Sequence, residues 1–295
     1  MINDKLNVEP IYELKGDVNI RTGNIEFLGT VIIEGGVEDG FKVETEGDIR
    51  IADLVGAATL SAGGNIFIEG GIKGKKRANI FAKGDVKAKF VENAHISACR
   101  NIMISNEVLH SHLNAGRSVM VSENKGLIIG GRVRAGEEIL ANEIGCKVHT
   151  KTNIEVGVLP KTREQLQSLD YLIEKDEKIL KQVKLNIATL EKMQSNLEGN
   201  FTKEKADKLT QLKNLNTLIS FRLRSYYERK EILGAQLAIS KQGKISITKT
   251  IYPGTTVLVR GDSLEVKEEL TSVVLMFENN KIKVERYLPE KSTAH

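Results

Sequence analysis

The stretch Thr59-Leu60-Ser61-Ala62-Gly63-Gly64-Asn65-Ile66-Phe67-Ile68 decides the fold. Its apolar residues form two alternating pairs, Leu60 with Ala62 and Ile66 with Ile68. Alternation marks strands with one buried face. The Gly-Gly-Asn between the pairs is turn chemistry, because these residues tolerate tight or left-handed backbone. The unit recurs along the chain. Small anchors equivalent to Ala62 stand at Thr45, Ala82, Ala98, Ala115, Ala135 and Thr150, so successive steps are 17, 20, 16, 17, 20 and 15 residues. Two residues before the anchors come Val43, Leu60, Ile80, Ile96, Leu113, Val133 and Val148. Four after come Ile49, Ile66, Val86, Ile102, Val119, Ile139 and Ile154, and six after come Ile51, Ile68, Ala88, Ile104, Val121, Ala141 and Val156. Gly47-Asp48, Gly84-Asp85 and Arg100-Asn101 occupy the turn position of Gly64-Asn65.

No such unit buries its own apolar face. Stacked copies do, with the aliphatic positions forming continuous inner columns, which is a β-solenoid. Rungs of this length, without a strict six-residue period, predict a right-handed parallel β-helix. Val18-x-Ile20, Ile25-x-Phe27 and Val31-x-Ile33 read as earlier, less regular rungs. About eight rungs at ~4.8 Å each give a rod of about 40 Å.

Of the 26 glycines, 21 lie in residues 1–159, and the net charge is −2 there against +6 in the remainder. Two kinds of structure therefore meet near Pro160. Beyond it, Leu166, Leu169, Ile173, Leu180, Val183, Ile187, Leu190 and Leu197 follow 3-4 spacing, with Asp176 and Gln194 as polar interruptions. Gly199-Asn200 breaks the pattern, and Leu209, Leu212, Ile219, Leu223, Tyr226, Leu233 and Leu237 resume it, interrupted at Asn216 and Lys230. Two heptad seams of similar length predict an antiparallel coiled-coil hairpin with arms of about 57 Å. An ordinary two-helix packing element is the plainer alternative. From Lys244 alternation returns in Ile245-x-Ile247, Val257-x-Val259, Val273–Phe277 and Ile282-x-Val284, separated by Tyr252-Pro253-Gly254, Gly261-Asp262 and Asn279-Asn280. The expected organisation is a mainly β chain: a solenoid over 1–159, the α-helical hairpin over 160–243, and a small C-terminal β region over 244–295 that covers the open solenoid end.

Several of these stretches resemble the bacterial flagellar assembly protein A family. They are Thr22-Gly23-Asn24-Ile25-x-Phe27-x-Gly29, Gly40-Phe41-x-Val43, Gly63-Gly64-Asn65-Ile66-x-Ile68-x-Gly70-Gly71-Ile72-x-Gly74, Gly84-Asp85-Val86, Lys89–Ala94 and Gly126-x-Ile128-x-Gly130-Gly131. The coiled coil and Tyr252-Pro253-Gly254 fit as well, so the resemblance spans nearly the whole chain. It implies a cytoplasmic, non-catalytic β-helix protein connected to flagellar assembly or placement. Family members usually carry a further domain before the solenoid, whereas this chain begins almost at the first rung.

The residues offer little chemistry. Gly70-Gly71-Ile72-Lys73-Gly74-Lys75-Lys76 lacks both the spacing and the hydroxyl of a phosphate loop, and Gly35–Gly40 is not a dinucleotide fingerprint. No cofactor is expected. His95 and His112 each stand three residues before an anchor, so they are expected to stack on adjacent rungs facing outward, with His110 on the same face. Three imidazoles are a ligand set for zinc or nickel. No carboxylate or thiolate completes it, however, and Arg132 fills the same column, so a solvated or subunit-facing stack is the reading preferred to metal. Cys99 and Cys146 form no CxxC motif, which fits a reducing cytoplasm. Paired acids such as Glu44 and Glu46 are what a solenoid carbohydrate-active enzyme would use, yet a solvated face shows the same alternation.

The preferred function is a scaffold with unidentified protein partners, and a homodimer through the coiled coil is compatible with it. Candidate contacts are the basic run Lys73, Lys75, Lys76, Arg77, expected on a loop, and the seam residues Leu180, Leu190, Leu212 and Leu223. Few aromatic residues stand near the basic run, which disfavours nucleic acid. No apolar run approaches the ~20 residues that cross a bilayer. A bactofilin-like polymer, stacking end to end through open strand edges, is the alternative.

Overall fold

In the computed structural model, residues 10–157, 160–196, 202–239, 243–279 and 281–288 are described. Leu197, Gly199-Asn200, Asn280 and the Leu237 side chain lie outside them. The first strands are β1 (Ile11–Leu14), β2 (Ile25–Phe27), β3 (Thr30–Ile33), β4 (Lys42–Thr45), β5 (Ile49–Ile51), β6 (Thr59–Ala62) and β7 (Ile66–Ile68). Longer ones follow: β8 (Ile72–Ala82), β9 (Val86–Ala98), β10 (Ile102–Ala115), β11 (Ser118–Val121), β12 (Leu127–Ala135), β13 (Glu138–Ile144) and β14 (Thr152–Val156). Helices α1 (Pro160–Asn196) and α2 (Lys203–Ile239) come next. Strands β15 (Lys244–Ile251), β16 (Thr255–Val259), β17 (Asp262–Glu265), β18 (Leu270–Glu278) and β19 (Lys281–Arg286) end the chain. It divides into two compact units, residues 1–160 with 240–295, and residues 161–239.

The first unit is a solenoid of parallel ladders. One inner column runs Ile25, Val43, Leu60, Ile80, Ile96, Leu113, Val133, Ile154, Val257. A second runs Val31, Ile49, Ile66, Val86, Ile102, Val119, Ile139, Ile245. A third was not read from the sequence: Val18, Val37, Val55, Ile72, Val91, Val108, Ile128, Ile144, Ile251. Three faces thus close on an aliphatic core, and each fully buried Ile or Leu contributes roughly 1.5–3 kcal/mol.

The turn between the first two faces is an Asx ladder. Asn65 donates its backbone N–H to Asp48 Oδ1 at 2.7 Å, and Asn65 Oδ1 accepts the Asp85 N–H at 2.9 Å. Asp85 Oδ1 in turn accepts from both the N–H and the Nδ2 of Asn101, each at 2.9 Å. A Cβ on Gly64 would fall on the Asp48 carboxylate, so glycine is required there for space.

Two expectations are corrected. The anchor column leaves Ala135 for Val156, not Thr150, and Val148 is 83% exposed. The turn at Gly145–His149, where His149 takes a φ of 56°, adds residues that a fixed spacing does not count. Ile20 is also outside the core, at 88% exposed, although Val18 is inside.

The helices interrupt a rung. β14 ends just before them, and β15 resumes parallel to β13, with Ile139 opposite Ile245. The last rung is therefore built from β15 and β16, and Gly157 and Gly243 lie against one another at the break. The remaining strands turn antiparallel: β17 pairs with β16, β18 with β15, and β19 with β18. They cover edges that β15 and β16 would otherwise present.

In the second unit, α1 and α2 each run 37 residues and pair in antiparallel sense. Asp176 binds Arg222 through two hydrogen bonds of 2.5 and 2.7 Å, and Asp170–Lys230 and Glu191–Lys213 pairs tie the same two helices. Between them pack Ile173, Val183, Ile219 and Leu223. Neither helix is long and apolar enough to cross a membrane.

Candidate interaction surfaces

On the solenoid, residues between the inward positions face out in columns, one per rung. One column carries Asn79, His95, His112, Arg132 and Asn153 in direct register. The two imidazoles stack as the spacing implied, with centroids 4.7 Å apart and planes within 9°. Burial, then the charges of His95, Arg132 and Arg134, hold the His112 pKa below its ordinary value. His110 does not share this face. Its backbone is left-handed, with φ of 46°, and it sits at a corner above Asn93, whose φ is 49°. Among the described residues no group of three metal-ligating side chains forms.

The neighbouring outward column places Arg134 beside Glu155, 3.2 Å from Nε to Oε2. Glu155 is only 2% exposed, so this pair is part of the wall.

A cleft of about 700 Å³ lies along the second face, bordered by Glu34, Arg50, Phe67, Glu69, Lys87 and Asn124. The Arg50 guanidinium caps the Phe67 ring at 5.5 Å. Asn142 shapes the rim, donating to the carbonyls of Ser122 and Lys125 at 3.2 Å each. The acidic pair considered from sequence is engaged elsewhere, Glu44 with Lys42 at 2.8 Å and Glu46 with Lys83 at 3.8 Å.

The basic run is not on a loop. Lys73, Lys75, Lys76 and Arg77 lie within β8, which kinks where Lys75 and Lys76 turn left-handed and shifts register between Lys73 and Ala78. Sequence reading saw charge where the strand continues on both sides of a bulge. Asp39 draws in Lys75 at 2.7 Å and Arg77 at 3.8 Å. The Lys75 bond, with the Ala57 N–H, holds the Asp39 carboxyl below the usual range. Lys73 and Lys76 keep their charges free of ion pairs among the described residues.

The hairpin residues divide by direction. Leu223 is buried, and Leu180 and Leu212 pack on the same cluster. Leu190 is half-buried farther along α1. All four thus stand on the seam between the two arms. Large apolar side chains that sequence reading passed over are uncovered on both helices: Leu172, Ile179 and Met193 on α1 with Leu215 and Leu218 on α2, besides Tyr171, Leu185, Phe221 and Tyr227, which point elsewhere around the helices. At 100° per residue Leu172, Ile179 and Met193 share one flank of α1, and Leu215 and Leu218 share one flank of α2. In an antiparallel pair those flanks fall on the same side. The 7- and 14-residue intervals between Leu172, Ile179 and Met193 were the available signal.

These features define a class: a parallel β-solenoid interrupted mid-rung by an antiparallel helical hairpin and closed by antiparallel strands, with its chemistry confined to outer faces. The model of the flagellar assembly protein A β-solenoid domain matches residues 10–282, and the chain belongs to that family. Comparison with curated proteins and with solved structures gave no match.

Proposed function

We propose that this chain is a cytoplasmic, non-catalytic scaffold that engages protein partners in flagellar assembly or in placing the flagellum. Family membership supports the process. The observation that carries the mode of action is the apolar flank of the hairpin, where Leu172, Ile179, Met193, Leu215 and Leu218 meet solvent. Clustered exposed apolar side chains on a helix pair mark a surface that another helix covers. The solenoid interior supports the absence of catalysis, being filled by aliphatic columns. The test is complementation of a flagellated host lacking the gene with the Ile179→Glu, Leu215→Glu, Leu218→Glu chain. The expected result is missing or misplaced flagella with the protein folded and abundant. Normal flagella in those cells would refute the reading. Sedimentation of the same chain and its parent shows whether the partner is a second copy.

A further inference from the structure

From Asn79 to Asn153 the column containing the stacked histidines carries basic and neutral side chains and no acid. His95 on β9, His112 on β10 and Arg132 on β12 follow one another in direct register. None of the three forms an ion pair among the described residues. The further charge that acts on His112 is of the same sign, Arg134 on β12. Glu155 on β14 is the nearby acid, and it is buried against Arg134. Asn114 and Asn153 supply further polar neighbours on β10 and β14.

We propose that His95, His112 and Arg132 form an oxyanion site, in which a phosphate-class dianion bridges successive rungs and is held more tightly as pH falls through the imidazole range. The spacing suits this ligand. Donors about 4.8 Å apart on adjacent rungs both reach one tetrahedral anion, because each N–H···O bond spans ~2.8 Å. The charge suits it too, since a dianion relieves the repulsion that Arg132 and the two imidazoles meet once protonated, with no ion pair to offset it among the described residues. Burial and neighbouring positive charge disfavour the protonated His112 ring. A bound anion opposes both effects, so proton and anion uptake are coupled.

The test follows the ring resonances of His95 and His112 in the full chain at constant ionic strength, in chloride, inorganic phosphate or sulfate. Sulfate stays a dianion throughout, so pH dependence in that arm belongs to the protein. Both dianions are expected to raise the His112 titration midpoint by about half a unit or more relative to chloride. Arg132→Gln, with its amide spectrum otherwise unchanged, is expected to weaken binding about tenfold. Should Arg132→Gln fail to fold, His112→Asn serves instead, with the His95 resonances as the probe. Titration curves that coincide in all three salts, or a response that survives the substitution undiminished, would overturn the site.

Discussion

At Asn65 one side chain serves two rungs. Its Oδ1 accepts from Asp85 above, and its Nδ2 donates to Asp48 below at 3.2 Å. Asn65→Ala removes both bonds and leaves the partly buried Asp85 N–H unmet, at a cost of about 1–3 kcal/mol. Denaturant unfolding should show that loss with an unchanged slope. His112 gives the residue scale its pH dependence. Its folded pKa is depressed, so the unfolded chain takes the proton more readily. Stability from this group is complete above the ordinary histidine pKa of about 6.5 and is lost as pH falls below it toward the folded value. The melting temperature should therefore drop between neutral and mildly acidic pH, and His112→Asn should lessen that drop. The histidine stack was legible because both residues hold one offset from Ala98 and Ala115. His110 was not, because nothing in its neighbours announces a left-handed φ.

At the scale of elements, the helical seam carries a charged interruption that the sequence could locate but not pair. Asp176 is 5% exposed, and its partner Arg222 sits 46 residues away on the other arm. Arg222→Met strands a buried carboxylate. Since the guanidinium is itself half in solvent, the cost should be about 1–3 kcal/mol. The double substitution Asp176→Leu, Arg222→Met should recover most of it. Thermal melts of the four chains in the cycle decide the matter, and a double variant as weak as the single would contradict the pairing argument. The strand columns were legible wherever two inward residues alternate, as at Leu60 and Ala62. The third face escaped because most rungs give it a single inward residue, such as Val37 or Val55, which has no period to detect. Past Ala135 the spacing failed because the Gly145–His149 turn lengthens one rung. The seam leucines were correctly placed on helices, but heptads do not distinguish a partner within the chain from one outside it.

At the scale of the whole molecule, the antiparallel strands weigh against end-to-end growth from the β15–β16 end of the solenoid. β17 and β18 occupy the free edges of β16 and β15. A chain ending at Arg260 keeps the last rung but exposes those edges, and it should form concentration-dependent oligomers in sedimentation where the full chain does not. Growth of the full chain into filaments would favour the end-to-end polymer instead. The helical insertion should be separable. Gly157 and Gly243 already touch, so joining them through a short Gly-Ser link in place of 158–242 should leave the strand signal in circular dichroism and the solenoid melting transition nearly unchanged.

The interrupted rung also has a bearing on how the chain is made. Thr248 meets Asn142 across 106 positions of sequence. A ribosome must emit both helices before the final coil has its second half. Until then the nascent solenoid carries a bare growing end, able to recruit strands from neighbouring nascent chains. A hairpin that folds locally shortens the effective gap to be closed, since ordered helices replace a long flexible loop. Variants that weaken the helix pair should thus slow refolding more than they lower equilibrium stability of the solenoid, and stopped-flow refolding of the Arg222→Met chain would register it.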